Sequence, residues 1–593
     1  MSEISVVFPA AAALLCMLVV GEYVQPPLPG LTAPERCHHM ERRDHVLAWV
    51  LTAVYALCAF IGLGTAAEPE CFYRAANGAE ISAELPASAE IADVRWFAGL
   101  GTGSWTLETS LDGQSWQLAA AMEQNYVAIL KWNRAEPASP AAARYIRLRA
   151  VTGSFLEAGE MAFFDDEGVR ILPLTVSEAG LPLFDEQGVI PESSNFRNSS
   201  YFDEIYHART AWEGLRGETL YEITHPPLGK LILSLGILIF GMNPFGWRFM
   251  GTLCGALMLP ILYALLKRLF GRRGIAACGT LIFAFDFMHF TQTRIATIDT
   301  YSVLFILCMY YCMYRFLTGE GEKRQRLWLA LAGVSFGLGA ASKWTSIYAG
   351  AGLAVLWLLY WCFRRDFRWR DFGENVGFCV VFFVIVPMAI YYISYWPYGH
   401  AAGLSWPGML FSREYGKLVL DNQRYMWSYH SRLVATHPYS SEWWQWVLDI
   451  RPILYYLESF PDGSKSAIAA FTSPLLCWGG IMAMLVTAAE GVRRRDNRAL
   501  FILTGYLSQL LPWVPVTRLT FAYHYFPSEV FLVLGLCYVF AGTERKRGER
   551  WPYIAFTAVS LLLFAAFYPV LSGAAVPRDY CAKFLRWFST WPI

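Results

Sequence analysis

Long apolar runs separated by short basic segments make up most of this chain, and one stretch of alternating polar and apolar residues interrupts them. A helix needs about 20 apolar residues to cross a bilayer core. Twelve stretches meet or approach that length: 4–22, 46–64, 246–267, 274–291, 301–317, 327–341, 346–363, 375–395, 469–488, 499–515, 525–541 and 552–571. The segment after every second run is cationic: Arg36, Arg42 and Arg43; Lys267, Arg268, Arg272 and Arg273; Lys323, Arg324 and Arg326. The pattern continues with "FRRDFRWR" at 363–370, "RRRDNR" at 493–498 and "ERKRGER" at 544–550. Cationic loops stay on the cytoplasmic side, and all six agree with one alternating topology. Both termini and residues 65–245 then lie outside. The first run lacks a basic start and a small-residue cleavage site, so it reads as a span and not as a leader.

Composition agrees with the pattern. Charged residues make up 16% of the 593 positions and hydrophobic ones 55%, against about 25% charged in a soluble protein. A formal net charge of zero gives no reason to expect a nucleic-acid partner. The charge is unevenly spread, because residues 65–200 hold 19 acidic and 9 basic side chains. Of the 13 cysteines most lie inside apolar runs, and none forms a CxxC pair with zinc-like spacing. Cys71 and Cys581 are the two expected to be exposed.

The interrupting stretch, 68–174, carries strand signals. "WTLETSLDGQSWQLAA" (105–120) alternates around a DG turn, which predicts a half-buried hairpin. "ARYIRLRAV" (143–151) alternates again and places Tyr145, Ile146, Leu148 and Val151 near a core. Short strands with turns at roughly ten-residue spacing predict a β-sandwich or jelly roll. Trp96, Trp105, Trp116 and Trp132 read as core more readily than as a sugar platform.

Charged residues then return close to the membrane. "FDEIYHA" holds Asp203, Glu204 and His207; "THPPLGKL" holds His225 and Lys230; "NPFGWRFMG" holds Arg248. Each has a plain explanation: a carboxylate pair caps a helix, and a lysine snorkels. Together they place carboxylates, a histidine and two cations on one extracytoplasmic surface beside lipid, where charges commonly line a cavity. Arg294 and Asp299 in "TRIATIDTYSV", Lys343 in "ASKWTSIY", and Arg518 and His524 in "VPVTRLTFAYHYFP" join them at outer ends. A carboxylate serves as general base, and guanidinium groups hold phosphate. Asp203, Glu204 and His207 offer ligands to a hard cation but are too few to require one, so no metal or other cofactor is obligatory and a divalent ion stays open. Neither GxGxxG nor GxxxxGK[ST] occurs, which favours a lipid-linked donor over a nucleotide sugar.

"YFDEIYHA", "THPPLGKL", "RIATIDT", "SKWTSIY", "HPYSSEWWQW" and "WVPVTRLTFAYHYFP" resemble, in order, the protein O-mannosyltransferases of the GT-C class, above all the bacterial members that use a polyprenyl-phosphate sugar. "TLETSLDGQSW", "ARYIRLRA" and "GEMAFFD" resemble a discoidin sandwich. The resemblance implies a polytopic α-helical membrane protein of the GT-C fold, with about 12 transmembrane helices and an inserted extracytoplasmic β-sandwich. The expected parts are an extra N-terminal helix (1–24), the first GT-C helix (45–64), the sandwich (65–180) and a catalytic loop with interfacial helices (195–245). A transmembrane core (246–395), an outer loop (396–468), a four-helix region (469–571) and an outer tail (572–593) follow. It also implies roles: Asp203 as general base with Glu204 positioning the acceptor, Arg248 near the lipid phosphate, and His225 and Lys230 lining the same cavity. Asp299 matches an outer-loop carboxylate of less uniform role. Two features depart from the family pattern: 396–468 is too short for the β-trefoil of the eukaryotic enzymes, and the first span is additional. The implied activity is inverting transfer of a hexose, mannose first, from polyprenyl phosphate to Ser or Thr of exported proteins at the cell membrane. The rival readings are a lipid or cell-wall glycan acceptor, and a non-catalytic lipid-carrier transporter or sugar-binding receptor. Oligomeric state is not encoded in any pattern seen here.

Overall fold

A computed structural model describes residues 4–25, 39–319, 321–364 and 366–593; Arg36 and Arg365 of the basic loops lie outside the described residues. The chain forms two compact units, one comprising Gly62–Glu213 with Ser234–Phe249 and the other comprising the remainder.

The first unit is built on eight strands: β1 (Tyr73–Ala75), β2 (Glu80–Ile91), β3 (Asp93–Ser110), β4 (Gln117–Gln124), β5 (Lys131–Ala135), β6 (Ala141–Phe164), β7 (Arg170–Ile171) and β8 (Thr175–Val176). β3 and β6 pair antiparallel along nearly their whole length, from Asp93 opposite Phe164 to Ser110 opposite Tyr145. Flanking strands divide between their two ends. β4 and β2, with β8, extend one end; β5, β1 and β7 extend the other. Hydrogen bonding is therefore continuous through one eight-stranded sheet; the expectation was a β-sandwich or jelly roll. Register shifts at Ala98, Gly101 and Gly103 mark the bend between the ends. Gly101 has φ +85, and a Cβ there would lie 2.2 Å from the Phe155 carbonyl oxygen, so the bend requires glycine.

Both ends turn one face into a shared cluster that includes Ile81, Val94, Trp96, Trp105, Leu107, Ile146, Leu148 and Phe163. The DG turn joins β3 to β4, with Asp112 accepting from the Gln114 and Ser115 backbone N–H groups. Trp96, Trp105 and Trp132 are buried and Trp116 lies under the Arg147 guanidinium, so the first three are core. The alternation in β6 buries Ile146, Leu148 and Ala150. Val151 is exposed and Tyr145 half-buried, because period two puts both on the opposite face.

Helices form at all twelve expected positions of the chain, but they are not equal. Among the described residues eight are long and apolar enough to cross a membrane: Val7–Val24, Arg42–Phe60, Pro244–Phe270, Asp299–Thr318, Trp369–Ala401, Leu475–Arg494, Ala522–Arg547 and Trp551–Ser572. The expected span 274–291 is broken into Arg273–Ala284 and Phe287–Thr293 with a 57° bend. Its cause is Asp286, whose side chain caps the second helix by accepting from the Met288 and His289 N–H groups. Glu322–Ser342, Ser346–Cys362 and Asn497–Leu510 are too short or not apolar enough to meet the same test. The expected span 469–488 begins with strand residues, since Ser464–Ala470 pairs with Ile453–Ser459 and with Val576–Pro577.

The basic ends of several helices meet. Arg273 donates to Asp44 (2.8 Å) and pairs with Glu41 (2.9 Å), and Tyr263 Oη donates to Asp44 (3.1 Å). Tyr314 Oη donates to the Arg268 carbonyl (3.0 Å), which brings a third loop to the same end. The helix Ile4–Val24 packs on the C-terminal region through Tyr23, which occupies the space a Cβ on Gly542 would need and receives the Lys546 ammonium over its ring at 3.5 Å. Cys71 and Cys581 are both free thiols, the second buried.

Candidate functional site

In the sheet-bearing unit, the helix Glu204–Arg216 starts immediately after Asp203. The Asp203 carbonyl accepts from Tyr206 N (3.0 Å) and His207 N (3.1 Å), and its side chain is half-buried. Acidic groups at the first turn complement the helix dipole. The preceding Phe202 has φ +49, a left-handed conformation that an aromatic residue seldom adopts. Such strain concentrates where a neighbouring group must be held in place.

Glu204 and Arg248 are completely buried and form a two-point pair, Nε to Oε1 and Nη2 to Oε2, each 2.7 Å. Arg248 Nη1 donates to the carbonyls of Leu63 (2.8 Å) and Phe196 (2.7 Å), and Nη2 also donates to Ser199 (3.0 Å). The Tyr201 ring lies 4.8 Å from its Cζ. A guanidinium has five N–H donors, and five protein acceptors occupy them. This corrects the expected role of Arg248, which has no donor left for a lipid phosphate. Glu204 is corrected with it: the carboxylate is completely buried, accepting from Arg248 and from Tyr201 N (3.2 Å), so no side of it is open to an acceptor or an ion. Beside them Glu68, buried and accepting from Trp132 Nε1 (2.7 Å), has its pKa pushed up to about 8 by burial, which the Trp132 bond and the Arg248 charge only partly offset.

The other unit gathers most of the remaining expected residues. Glu222 organises the "THPP" segment: Oε1 accepts from Thr224 N (2.8 Å) and lies 3.0 Å from His225 Nδ1, while Oε2 pairs with Lys230. Lys230 also donates to the carbonyls of Glu222 (2.7 Å) and His225 (3.2 Å), so it is a buried loop clamp and not a snorkelling lysine. Asp299 opens the helix Asp299–Thr318 and Lys343 follows the helix Glu322–Ser342; their 2.6 Å ion pair joins a helix N-terminus to a C-terminus with the favourable sign at each. Lys343 Nζ lies 5.3 Å from the Tyr523 ring centroid.

His430 stands among these groups. Its ring is 5.3 Å from that of His225 and 6.0 Å from Trp344, and Nε2 is 2.8 Å from the Thr224 carbonyl. Burial first, then His225, Arg518 and Lys343, lower its pKa to about 4. Four nitrogen-bearing side chains therefore share one neighbourhood. Arg518 donates only to the Leu519 carbonyl (3.1 Å) and has no carboxylate partner among the described residues. Burial pulls its pKa below the ordinary arginine value, with Tyr523, Tyr348 and Tyr429 opposing. A guanidinium without a carboxylate partner attracts an anion. His524 stacks on Trp446 (5.9 Å) and edges Trp513 (4.5 Å), which fits packing. Arg294 donates to the Ile61 carbonyl (2.9 Å) and lies over Phe290, in a structural setting.

Residues 224–391 match the model of the dolichyl-phosphate-mannose-protein mannosyltransferase family, and residues 417–591 match the C-terminal four-transmembrane region of protein O-mannosyltransferase. The chain carries protein O-mannosyltransferase family domains. It is 26% identical over 438 residues to polyprenol-phosphate-mannose–protein mannosyltransferase of Mycolicibacterium smegmatis, covering 64% of this chain and 85% of that one. The similarly named Mycobacterium tuberculosis protein is 25% identical over 456 residues (64% and 84%). Among solved structures, the S. cerevisiae protein O-mannosyltransferase Pmt1–Pmt2 complex bound to the sugar donor aligns with TM-score 0.58 and 14% identity, covering 66% of this chain and 89% of that one. The likeness establishes a shared fold, that of a polytopic helical membrane protein of the GT-C kind.

Sequence patterns alone did not single out Glu222, His430 or Trp344. Glu222 had one usable signal, an acidic residue three positions before a histidine and eight before a lysine. His430 had none, since it sits on a polar helix far along the chain.

Proposed function

We propose that the protein is an inverting glycosyltransferase that moves mannose from polyprenyl phosphate to Ser or Thr hydroxyls of exported proteins, at the outer face of the cell membrane, through a twelve-span arrangement. The observation that carries this reading is the Arg518 guanidinium, which has no carboxylate partner among the described residues and lies in the family-matched part of the chain with His430 and the Asp299–Lys343 pair. Asp203 accepts the proton of the acceptor hydroxyl, whose oxygen bonds to C1 of the sugar. The C1–O bond to phosphate breaks on the opposite face, and polyprenyl phosphate leaves with the electron pair. Arg518 is the phosphate-holding guanidinium, because among the described residues no carboxylate pairs with it, and Lys343 adds an ammonium held in place by Asp299. Glu204 and Arg248 keep the start of the Asp203 helix fixed.

The test is transfer from mannosyl polyprenyl phosphate to a Ser/Thr peptide in proteoliposomes, with product read by mass. Asp203→Asn should lower the rate by about a hundredfold or more, the range of a general base. Undiminished transfer by the variant removes Asp203 from the mechanism. Transfer to a lipid or glycan but never to peptide changes the acceptor class.

A further inference from the structure

The helix Arg413–Arg432 has an exposed outer face whose residues change in chemistry around the helix. Its inner face is fixed to the end of the apolar helix region Trp369–Ala401, a candidate membrane span. Tyr415 Oη donates to the Tyr392 carbonyl (2.8 Å), Tyr395 Oη to Asn422 Oδ1 (2.7 Å), and Tyr391 Oη to Gln423 Oε1 (2.7 Å). Tyr415, Val419 and Met426 are buried on that side. Tyrosines at the end of a span sit at headgroup level, so the helix crosses the span at the membrane boundary.

The outer face is graded. Leu420 and Trp427 lie two turns apart on one line beside the buried face, and Trp427 is 70% exposed. Next around the helix come Arg413, Lys417 and Arg424, then Glu414, Asp421, Ser428 and Arg432, with Tyr425 and Tyr429 beyond them, all exposed. Arg424 contacts Asp421 at 3.1 Å, one turn away and open to solvent. Trp406 and Phe411, the latter 91% exposed, precede the helix, and Val434 follows it. Apolar, cationic and acidic strips in that order match the depth profile of a bilayer surface: acyl boundary, phosphate, water. A water-facing helix has no reason to expose the apolar strip, and an aromatic flanked by cations is the pattern of interfacial helices.

We propose that the helix Arg413–Arg432 lies in the headgroup layer of anionic phospholipid, with Leu420 and Trp427 at the acyl boundary and Arg413, Lys417 and Arg424 against the phosphates. The surface stands on the exposed side chains alone and is independent of the transfer chemistry.

Replacing Trp427, Leu420 or Asp421 singly by the photo-crosslinker p-benzoylphenylalanine tests it in the full chain, in nanodiscs of phosphatidylglycerol and phosphatidylethanolamine. After irradiation, lipid adducts on peptides carrying positions 427 and 420 should exceed those at 421 by about tenfold, because the first two sit at acyl depth and the third in water. Adding Lys417→Glu and Arg424→Glu should lower the yield at 427 in these nanodiscs and leave it unchanged in phosphatidylcholine. Equal adducts at 421 and 427 overturn the proposal. So does crosslinking of position 427 to an added Ser/Thr peptide or to a second copy of the chain in place of lipid.

Discussion

Removing the Arg248 side chain separates a structural guanidinium from a phosphate ligand. In Arg248→Met, the Glu204 carboxylate stays fully buried and loses its two-point partner, and the carbonyls of Leu63, Phe196 and Ser199 lose their donors. Stranding one member of a buried pair costs about 3–5 kcal/mol. Each buried carbonyl left unsatisfied adds up to about 1–3 kcal/mol before relaxation and water entry. The expected loss is therefore about 5 kcal/mol. Glu204→Gln keeps the shape and removes the charge, so the double variant should lose less than the two single variants together, with a coupling of several kcal/mol. The assay is a double-mutant cycle on detergent-solubilised protein by denaturant unfolding, with donor KM measured on the fraction that stays folded. KM should change little. If Arg248→Met unfolds like the wild type and raises donor KM by about tenfold or more, the guanidinium contacts donor and the structural assignment is wrong.

Arg518→Gln should behave in the opposite way, raising donor KM by about tenfold or more, the value of one charged hydrogen bond to phosphate, with unfolding unchanged because no carboxylate loses a partner. A melting-temperature loss without a KM change speaks against it. Glu68→Gln should remove a pH slope. With a folded pKa of about 8, the folded state holds a proton that the unfolded state releases from about pH 4.5 upward, so wild-type stability falls between those values. At 1.36 kcal/mol per unit the fall approaches about 5 kcal/mol. The variant, still able to accept from Trp132, should therefore be the more stable above pH 8 and match the wild type near pH 4; equal melting at pH 8.5 denies the burial effect.

The parts of the molecule that follow local rules were readable in the sequence. Alternation placed Ile146 and Leu148 in the core, and the DG turn placed the β3–β4 hairpin. Tertiary partners were not readable. Arg248 looked like a cation at a helix end, and its carboxylate lies 44 positions earlier. Helical periodicity ran straight through Asp286, and only the capping bonds reveal why the apolar run breaks there. Lys230 could be seen as a lysine near lipid, but the carboxylate that buries it belongs to the preceding loop. The continuous sheet was not legible because β3 and β6 each exceed the usual strand length of about 5–6 residues, and the alternation at 105–120 and 143–151 marks only part of each.

Arg248 also gathers the two points at which the sheet leaves and rejoins the chain. Leu63 precedes the strands, Phe196 and Ser199 follow them, and the Thr65 N–H donates to the Arg197 carbonyl at 2.8 Å. Entry and exit are thus one hydrogen bond apart. A seam this narrow makes the strands an exchangeable cassette: another domain whose ends lie equally close can be spliced between them, while the bonds that close the seam belong to residues the splice leaves in place.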